Sequence, residues 1–119
     1  MVSPAAPKSF DFAVRIVNLY KYLTEEKNEY VISKQVLRSG TSVGANISKA
    51  EHAQSRADFA SKMTIALKEA DETRYWLRLL EATEFITPDQ AESILSDCVE
   101  LIRLLTSITK SLKNRDAKE

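Results

Sequence analysis

The chain has 119 residues, which is the usual size of one domain and leaves no room for a second. Hydrophobic residues make up 44% of it, enough to form one hydrophobic core. Seventeen basic residues balance seventeen acidic ones, so no overall field attracts nucleic acid or another polyanion. No stretch approaches the roughly 20 consecutive apolar residues of a membrane span, and the first eight residues lack the apolar core of a secretion signal. The single cysteine, Cys98, lies in an apolar helical pattern. These features predict a cytoplasmic protein that has no membrane partner.

The first part of the chain predicts a short leader and one helix. Residues 1–8 contain two of the three prolines and no periodic pattern, so we expect a flexible leader. Helix one is predicted from Ser9, as its N-cap, to about Lys27. Its apolar positions recur at helical spacing and are Phe10, Ala13, Ile16, Val17, Tyr20 and Leu23.

Helix two is predicted from Ser33, as its N-cap, to about Ala53. Small residues dominate its inward stripe, which comprises Val36, Gly40, Val43, Gly44, Ile47 and Ala50. A glycine costs a helix interior roughly 1 kcal/mol relative to alanine, so two glycines on one face indicate a neighbouring backbone that comes close. A local helix break at Gly40 is the alternative.

Helix three is predicted over about Arg56–Glu84, and its inward stripe is Phe59, Met63, Ala66, Leu67, Ala70, Leu77 and Leu80. Thr87, Pro88 and Gln90 predict a capping box at the start of helix four. The apolar positions of that helix are Ile94, Leu95, Cys98, Leu101, Ile102, Leu105, Ile108 and Leu112. Four amphipathic helices with short connections predict an all-α, antiparallel up-down-up-down four-helix bundle over residues 9–113, followed by a frayed tail over 114–119.

Helix three carries a second set of apolar residues away from its inward stripe, namely Ile65, Trp76 and Leu79. Two carboxylates, Glu69 and Glu72, lie between them. Helix two presents Arg38, Ser42 and Asn46 on the side away from its glycines. We expect these two sets to form an oligomer or partner interface, in which Trp76 is the anchor and Arg38 pairs with a carboxylate of the next copy. The alternatives place Trp76 at the edge of a wide core and pair Arg38 with Glu69 or Glu72 within one chain.

Catalytic chemistry lacks its usual residues in this sequence. His52 is the only histidine and directly follows Glu51, so the Glu-x-x-His pairs of a di-metal bundle are absent. Cys98 has no second histidine to activate it, and no glycine-rich phosphate motif is present. Glu69 and Glu72 could serve as an acid and base pair, but ion pairing is the usual role of such residues. We therefore predict no catalytic, cofactor-binding or metal-ligating residues and no enzymatic activity.

Basic residues cluster at the end of helix four: Lys110, Lys113, Arg115 and Lys118. Cations at this position complement the negative end of the helix dipole, which is the favoured interpretation. Contacts to nucleic-acid phosphates are the alternative, although Asp116 and Glu119 lie in the same segment.

Two segments resemble a known family. They read QVLRSGTSVGANIS over residues 35–48 and ALKEADETRYWL over residues 66–77. The pair resembles the four-helix-bundle family of 23S rRNA intervening-sequence proteins, which were first noticed in reading frames inserted within bacterial large-subunit rRNA genes. The resemblance covers the chain from Phe10 to Leu80. The accessory protein of diversity-generating retroelements looks like the same bundle. It works with a reverse transcriptase and nucleic acid, and it is strongly basic.

The resemblance implies a small bacterial bundle that assembles as a homo-oligomeric ring, typically a pentamer, with no established enzymatic activity. It also implies a link to RNA. Together with the second apolar set of helix three, it favours a non-enzymatic oligomeric scaffold or adaptor that recruits a protein partner. The alternative is an accessory protein that binds RNA through basic residues on the assembled ring.

Overall fold

Four helices form the part of the protein that the computed structural model describes, residues 4–118, with the side chains of residues 116–118 outside this description. The helices are α1 (Ala5–Glu25), α2 (Ile32–Glu51), α3 (Arg56–Ala82) and α4 (Pro88–Lys118). Each helix packs against the next, and α4 closes the bundle against α1, while α1 and α3 lie diagonally opposite, as do α2 and α4. This arrangement confirms the predicted all-α, up-down-up-down four-helix bundle.

All four helices contribute to one hydrophobic core. Its largest buried apolar side chains are Phe12, Ile16 and Leu23 of α1, Val36 and Val43 of α2, Met63, Leu77 and Leu80 of α3, and Leu101 and Leu105 of α4. The predicted inward stripes of α2, α3 and α4 are confirmed in their buried members. The stripe of α1 was wrong in part, because Phe12 is the buried aromatic residue and Phe10 faces outward.

Helix α1 begins at Ala5, inside the segment that was predicted to be a flexible leader. Pro7 is compatible with this start because the first turn of a helix needs no N–H from that residue. Ser9 is therefore an interior residue and not the N-cap, and its hydroxyl donates to the carbonyl of Ala6 at 2.9 Å. Residues 1–3 of the predicted leader lie outside the described residues. At the other end of the chain, α4 continues to Lys118 through most of the predicted tail.

The connection between α1 and α2 is organised by Glu29 and not by the predicted cap, Ser33. The Glu29 carboxylate accepts hydrogen bonds from the backbone N–H groups of Val31, Ile32 and Ser33, at 3.1, 3.0 and 2.6 Å. Asn28 adopts φ of 53° just before it. Burial of the Glu29 carboxyl favours its neutral form, but the three N–H donors outweigh burial, so the pKa of Glu29 is lowered.

The two glycines of α2 face α1 at close range, as the sequence predicted. A Cβ on Gly40 would lie 2.7 Å from Cγ1 of Ile16, and a Cβ on Gly44 would lie 3.3 Å from the carbonyl oxygen of Ser9. Helix α2 runs without interruption through both positions, so the alternative of a break at Gly40 was wrong.

Side-chain caps fix the starts of α3 and α4. The Ser55 hydroxyl accepts from the N–H of Asp58 at 3.0 Å and begins α3, which ends at Ala82. At α4, the Thr87 hydroxyl accepts from the N–H of Gln90 at 3.2 Å. The Gln90 side chain accepts from the N–H of Thr87 at 2.9 Å in return. The predicted capping box is confirmed.

Candidate interaction surfaces

Arg38 of α2 reaches across to the two carboxylates of α3. Its guanidinium donates to Glu69 Oε2 at 3.2 Å and to Glu72. The indole N–H of Trp76 also donates to Glu72 Oε2, at 2.9 Å. Glu72 therefore joins the arginine to the tryptophan within one chain. This is the intramolecular pairing that the sequence analysis gave as the alternative for Arg38.

The remaining predicted interface residues lie further along α2 and α3. Asn46 donates to the carbonyl of Ser42 at 2.8 Å and Ser42 donates to that of Ser39 at 3.0 Å, one and two turns along α2 from Arg38. Leu79 follows Glu72 and Trp76 at helical spacing, whereas Ile65 borders the groove between α3 and α4. The structure joins four members of the two predicted sets by hydrogen bonds: Arg38, Glu69, Glu72 and Trp76. We call the eight predicted residues together the α2–α3 face: Arg38, Ser42, Asn46, Ile65, Glu69, Glu72, Trp76 and Leu79.

The apolar residues of the α2–α3 face differ in how far they are covered. Trp76 is partly buried and packs against the core, as the alternative for this residue stated. Ile65 is 39% exposed. Tyr75, which the sequence analysis did not single out, is 59% exposed and its ring meets that of Trp76 edge to face at 5.1 Å. Ile65 and Tyr75 are therefore the apolar residues on this side of α3 that a partner reaches first.

A buried hydrogen bond holds the two helices beneath this face. The Thr73 hydroxyl donates to the Ser39 hydroxyl oxygen at 2.9 Å, and both residues are inaccessible to solvent. Because hydrogen-bonded polar groups in a core fix the relative position of the helices that carry them, the α2–α3 face is a preformed surface.

Cys98 and His52, whose residue types often take part in catalysis, lie in different surroundings. Cys98 is buried and its thiol donates to the carbonyl of Ala70 at 3.3 Å. Burial raises the pKa of Cys98 to about 12, so the reactive thiolate does not form near neutral pH. His52 is exposed at the end of α2. Within residues 4–118, whose side chains are described up to residue 115, no group of three or more His, Cys, Asp or Glu residues could hold a metal ion.

Three of the predicted basic contacts, Lys110, Lys113 and Arg115, are exposed near the end of α4, whereas the Lys118 side chain lies outside the described part of the chain. Lys113 lines a groove between α3 and α4 together with Lys68. This groove also contains Ile65 and small residues of α3. None of the helices within residues 4–118 is both long enough and apolar enough to cross a membrane.

A second exposed apolar surface was missed by the sequence analysis. Phe10, Val14 and Val17 follow one another at i, i+4 and i+7 along α1, and we call them the α1 stripe. Phe10 also lines a groove between α1 and α2. The signal was present in the sequence. Helix α1 carries apolar residues at positions 12, 16 and 23 and again at positions 10, 14 and 17, which is more apolar surface than one core face uses. The error was to assign Phe10 and Val17 to the core.

These features define the class of protein, a small all-α four-helix bundle. Residues 4–107 match the family model of the 23S rRNA-intervening sequence protein, and the chain therefore belongs to this family. A solved structure of a protein of unknown function from the S23 ribosomal protein family of Bacteroides thetaiotaomicron is 63% identical, with a TM-score of 0.88. The alignment covers 89% of this chain and 95% of that one. No curated protein matches the chain.

The family membership confirms the predicted resemblance. The further relation to the accessory protein of diversity-generating retroelements stays a prediction. Neither the family description nor the similar structure assigns an enzymatic reaction, and the function of that structure is described as unknown.

Proposed function

We propose that this protein is a non-enzymatic subunit of a cytoplasmic homo-oligomeric scaffold, and that the α2–α3 face carries the contact between copies. Two observations together support this proposal. Ile65 is exposed, and the polar side chains of the face already form hydrogen bonds with one another. Glu69 and Glu72 are both paired with Arg38, and the Trp76 N–H is paired with Glu72. A neighbouring copy that covers this face therefore leaves no carboxylate without a partner.

The same pairing supports a role without catalysis. A carboxylate that acts as an acid or base must exchange its proton with a substrate, whereas Glu69 and Glu72 hold an arginine between them. Cys98 is buried as a neutral thiol. Glu69, Glu72 and Cys98 thus make contacts between helices.

A pentameric ring is the arrangement that the family resemblance favours. A ring requires a heterologous contact, in which the α2–α3 face meets a different surface of the next copy, and it closes when the rotation per copy divides the circle. The outer surface of such a ring then presents several identical sites to a protein partner, which is how a scaffold or adaptor gains avidity.

Ile65→Glu is the variant that tests this contact. Ile65 is exposed and is not part of the core cluster, so the monomer is expected to fold normally. A carboxylate at the centre of an apolar contact is expected to dissociate the assembly, because it must be desolvated without a partner. Light scattering after size-exclusion chromatography measures the mass. Thr106→Glu places the same charge on an exposed site of α4 and is the matched control.

Trp76→Ala gives a second measure of the same contact. Truncation of a central interface aromatic costs on the order of 2 kcal/mol or more. Because Trp76 also packs against the core, circular dichroism must show that the dissociated species is still helical. A wild-type protein that is already monomeric at micromolar concentration would defeat the proposed scaffold.

RNA binding is the second candidate function, and the position of two lysines favours it. Lys68 of α3 and Lys113 of α4 line one groove, and Lys110 and Arg115 are exposed on the same helix end. An assembled ring repeats this basic site around its rim. The predicted relation to the strongly basic retroelement protein points to the same activity, whereas the net charge of zero means that binding depends on the local site.

Retardation of an RNA fragment at several salt concentrations tests this second candidate. Binding that weakens steeply with salt, and that Lys113→Glu reduces while Lys21→Glu does not, is the expected result. The two variants change the net charge equally and differ only in position. Absence of binding at low salt would dismiss RNA as a ligand.

A further inference from the structure

The groove between α3 and α4 combines an apolar lining with two lysines, Lys68 and Lys113. It encloses about 350 Å³ and opens to solvent. Its other lining residues are small or apolar: Ala57, Ala60, Ser61, Thr64, Ile65, Thr109 and Leu112. Among the side chains that the structure describes, no carboxylate lines it. The groove therefore carries positive charge only.

The two lysines of this groove keep their charge available for a ligand. No carboxylate with a described side chain lies within ion-pair distance of Lys68 or Lys113. The groove at the α3–α4 connection is different, because Arg78 lines it together with Glu81 and Glu84. A ligand with negative charge is thus complementary to the first groove and not to the second.

The two lysines lie at opposite ends of the groove. Helices α3 and α4 are antiparallel, so Lys113, near the end of α4, lies at the level of Ala57, near the start of α3. Lys68 follows Ala57 by eleven residues on α3, which is about 16 Å or three helical turns. Two carboxylates that meet both lysines must therefore be about three turns apart.

The middle of the groove is apolar, because its threonine hydroxyls are used within their own helices. The Thr64 hydroxyl donates to the carbonyl of Ala60 at 2.8 Å. The Thr109 hydroxyl donates to the carbonyl of Leu105 at 2.9 Å. Leu112 adds a larger aliphatic side chain between them and Lys113. The order along the groove is a cation, an apolar stretch and a second cation.

We propose that this groove binds an amphipathic helix of a partner protein. The helix places an apolar ridge between the small residues of the groove and carboxylates about three turns apart against Lys68 and Lys113. The inference rests on the proposed scaffold, since it names the kind of partner that the scaffold recruits. RNA fits this groove less well, because a strand carries a phosphate at every nucleotide, whereas the groove has charge at its two ends only.

Two synthetic helical peptides test the site on the assembled protein. The acidic peptide carries glutamates about three turns apart, with leucines between them on the same face, and the basic peptide has lysines in place of the glutamates. Fluorescence anisotropy of the labelled peptides at low salt gives the dissociation constants. We expect the acidic peptide to bind and the basic one not to bind. Equal binding of both peptides, or no binding of either, overturns the proposal.

Lys113→Glu reverses the charge at one end of the groove. It is expected to weaken binding of the acidic peptide about fivefold or more, which is the effect of losing one exposed ion pair. The same variant is expected to bind the basic peptide more tightly than the wild type does. Lys21→Glu, at an exposed site on α1, changes the net charge equally and should leave both constants unchanged. Equal effects of the two variants would show that overall charge alone is responsible, and would overturn the site.

Ala57→Trp fills the groove without changing its charge. Ala57 is exposed, so circular dichroism is expected to show an unchanged helical content. The acidic peptide is expected to lose most of its affinity. Ser61→Phe, also at an exposed lining position, gives the same test if Ala57→Trp does not fold. An RNA fragment that displaces the peptide, and that binds Ala57→Trp as it binds the wild type, assigns the lysines to RNA and overturns the protein partner.

The mass of the wild-type protein separates this inference from the proposed scaffold. A monomer that binds the acidic peptide retains the groove as a binding site and defeats the scaffold. An assembly that does not bind the acidic peptide retains the scaffold and overturns the groove. None of these variants changes Ile65, which belongs to the α2–α3 face and also borders the groove.

Discussion

Helix α1 is held by its two neighbours in different ways. Toward α2 the contact is close and made of small groups, with Gly40 against Ile16 and Gly44 against the backbone of Ser9. Toward α4 long charged side chains reach across, and the distances are 2.7 Å from Lys8 to Glu100 and 2.6 Å from Arg15 to Asp97. One side of the helix is therefore fixed by shape and the other by charge at the surface.

This difference predicts where the stability of the bundle resides. Close packing in a core is sensitive to every added or removed carbon atom, whereas exposed ion pairs contribute little and are screened by salt. Substitutions on the α2 side of α1 should thus have large effects that are insensitive to salt. Substitutions on the α4 side should have small effects that depend on salt.

The largest effect is expected for Gly40→Val. Its Cβ would lie 2.7 and 2.8 Å from Cγ1 and Cγ2 of Ile16, and these atoms are attached to the branched Cβ of a buried residue and cannot swing away. We expect a loss of about 3 kcal/mol in the free energy of unfolding, from overpacking. Urea denaturation followed by circular dichroism measures it.

Gln35→Val, at an exposed position of α2, is the control for the lower helix propensity of valine. It should cost well under 1 kcal/mol.

Gly40→Ala should become less costly when Ile16 is first replaced with alanine, because the clash is then removed. Equal effects of Gly40→Val and Gln35→Val would contradict the close approach of α1 and α2.

An intermediate effect is expected for Glu29→Gln, at the connection that sets how α1 and α2 meet. Both carboxylate oxygens accept backbone hydrogen bonds, Oε2 from Val31 and Ile32 and Oε1 from Ser33. An amide has only one, uncharged acceptor oxygen, and its NH2 group would face a backbone N–H donor. We expect a loss of about 1 kcal/mol in the free energy of unfolding at neutral pH, as for the loss of a helix cap.

The same variant has a signature in its pH dependence. The pKa of Glu29 is lowered in the folded protein from 4.5, so ionised Glu29 stabilises the fold above that pH. This contribution is lost as the pH falls below 4.5 and through the lower folded-state pKa. Stability curves of the wild type and of Glu29→Gln should therefore converge in acid. A constant difference between them down to pH 2 would refute the role of this carboxylate.

The smallest effect is expected for Arg15→Ala on the α4 side. Arg15 also donates to the Ser93 hydroxyl at 2.9 Å, yet the Arg15 and Asp97 side chains are both partly exposed to solvent. We expect a loss of about 1 kcal/mol or less in the free energy of unfolding, and a smaller loss at high salt. A loss as large as that of Gly40→Val, unchanged by salt, would remove the distinction between the two sides.

The sequence by itself determined the features that depend on local patterns. The helical periodicity predicted four helices and their order, and the capping box at Thr87 and Gln90 is formed by residues three positions apart. The pair of glycines on α2 predicted a close neighbour because glycine within a helix is costly unless it serves packing. The two segments over residues 35–48 and 66–77 were sufficient to indicate the family.

The tertiary structure decided which of several compatible choices the chain makes. Phe10 and Phe12 lie on different sides of α1, and only the position of α2 and α4 determines that Phe12 is buried. Helix α2 uses Glu29 in place of a serine cap because Asn28 turns the chain so that the carboxylate meets three N–H groups. Arg38 pairs with carboxylates 31 and 34 residues away, and such a pairing depends on how two helices pack, which local sequence patterns do not encode.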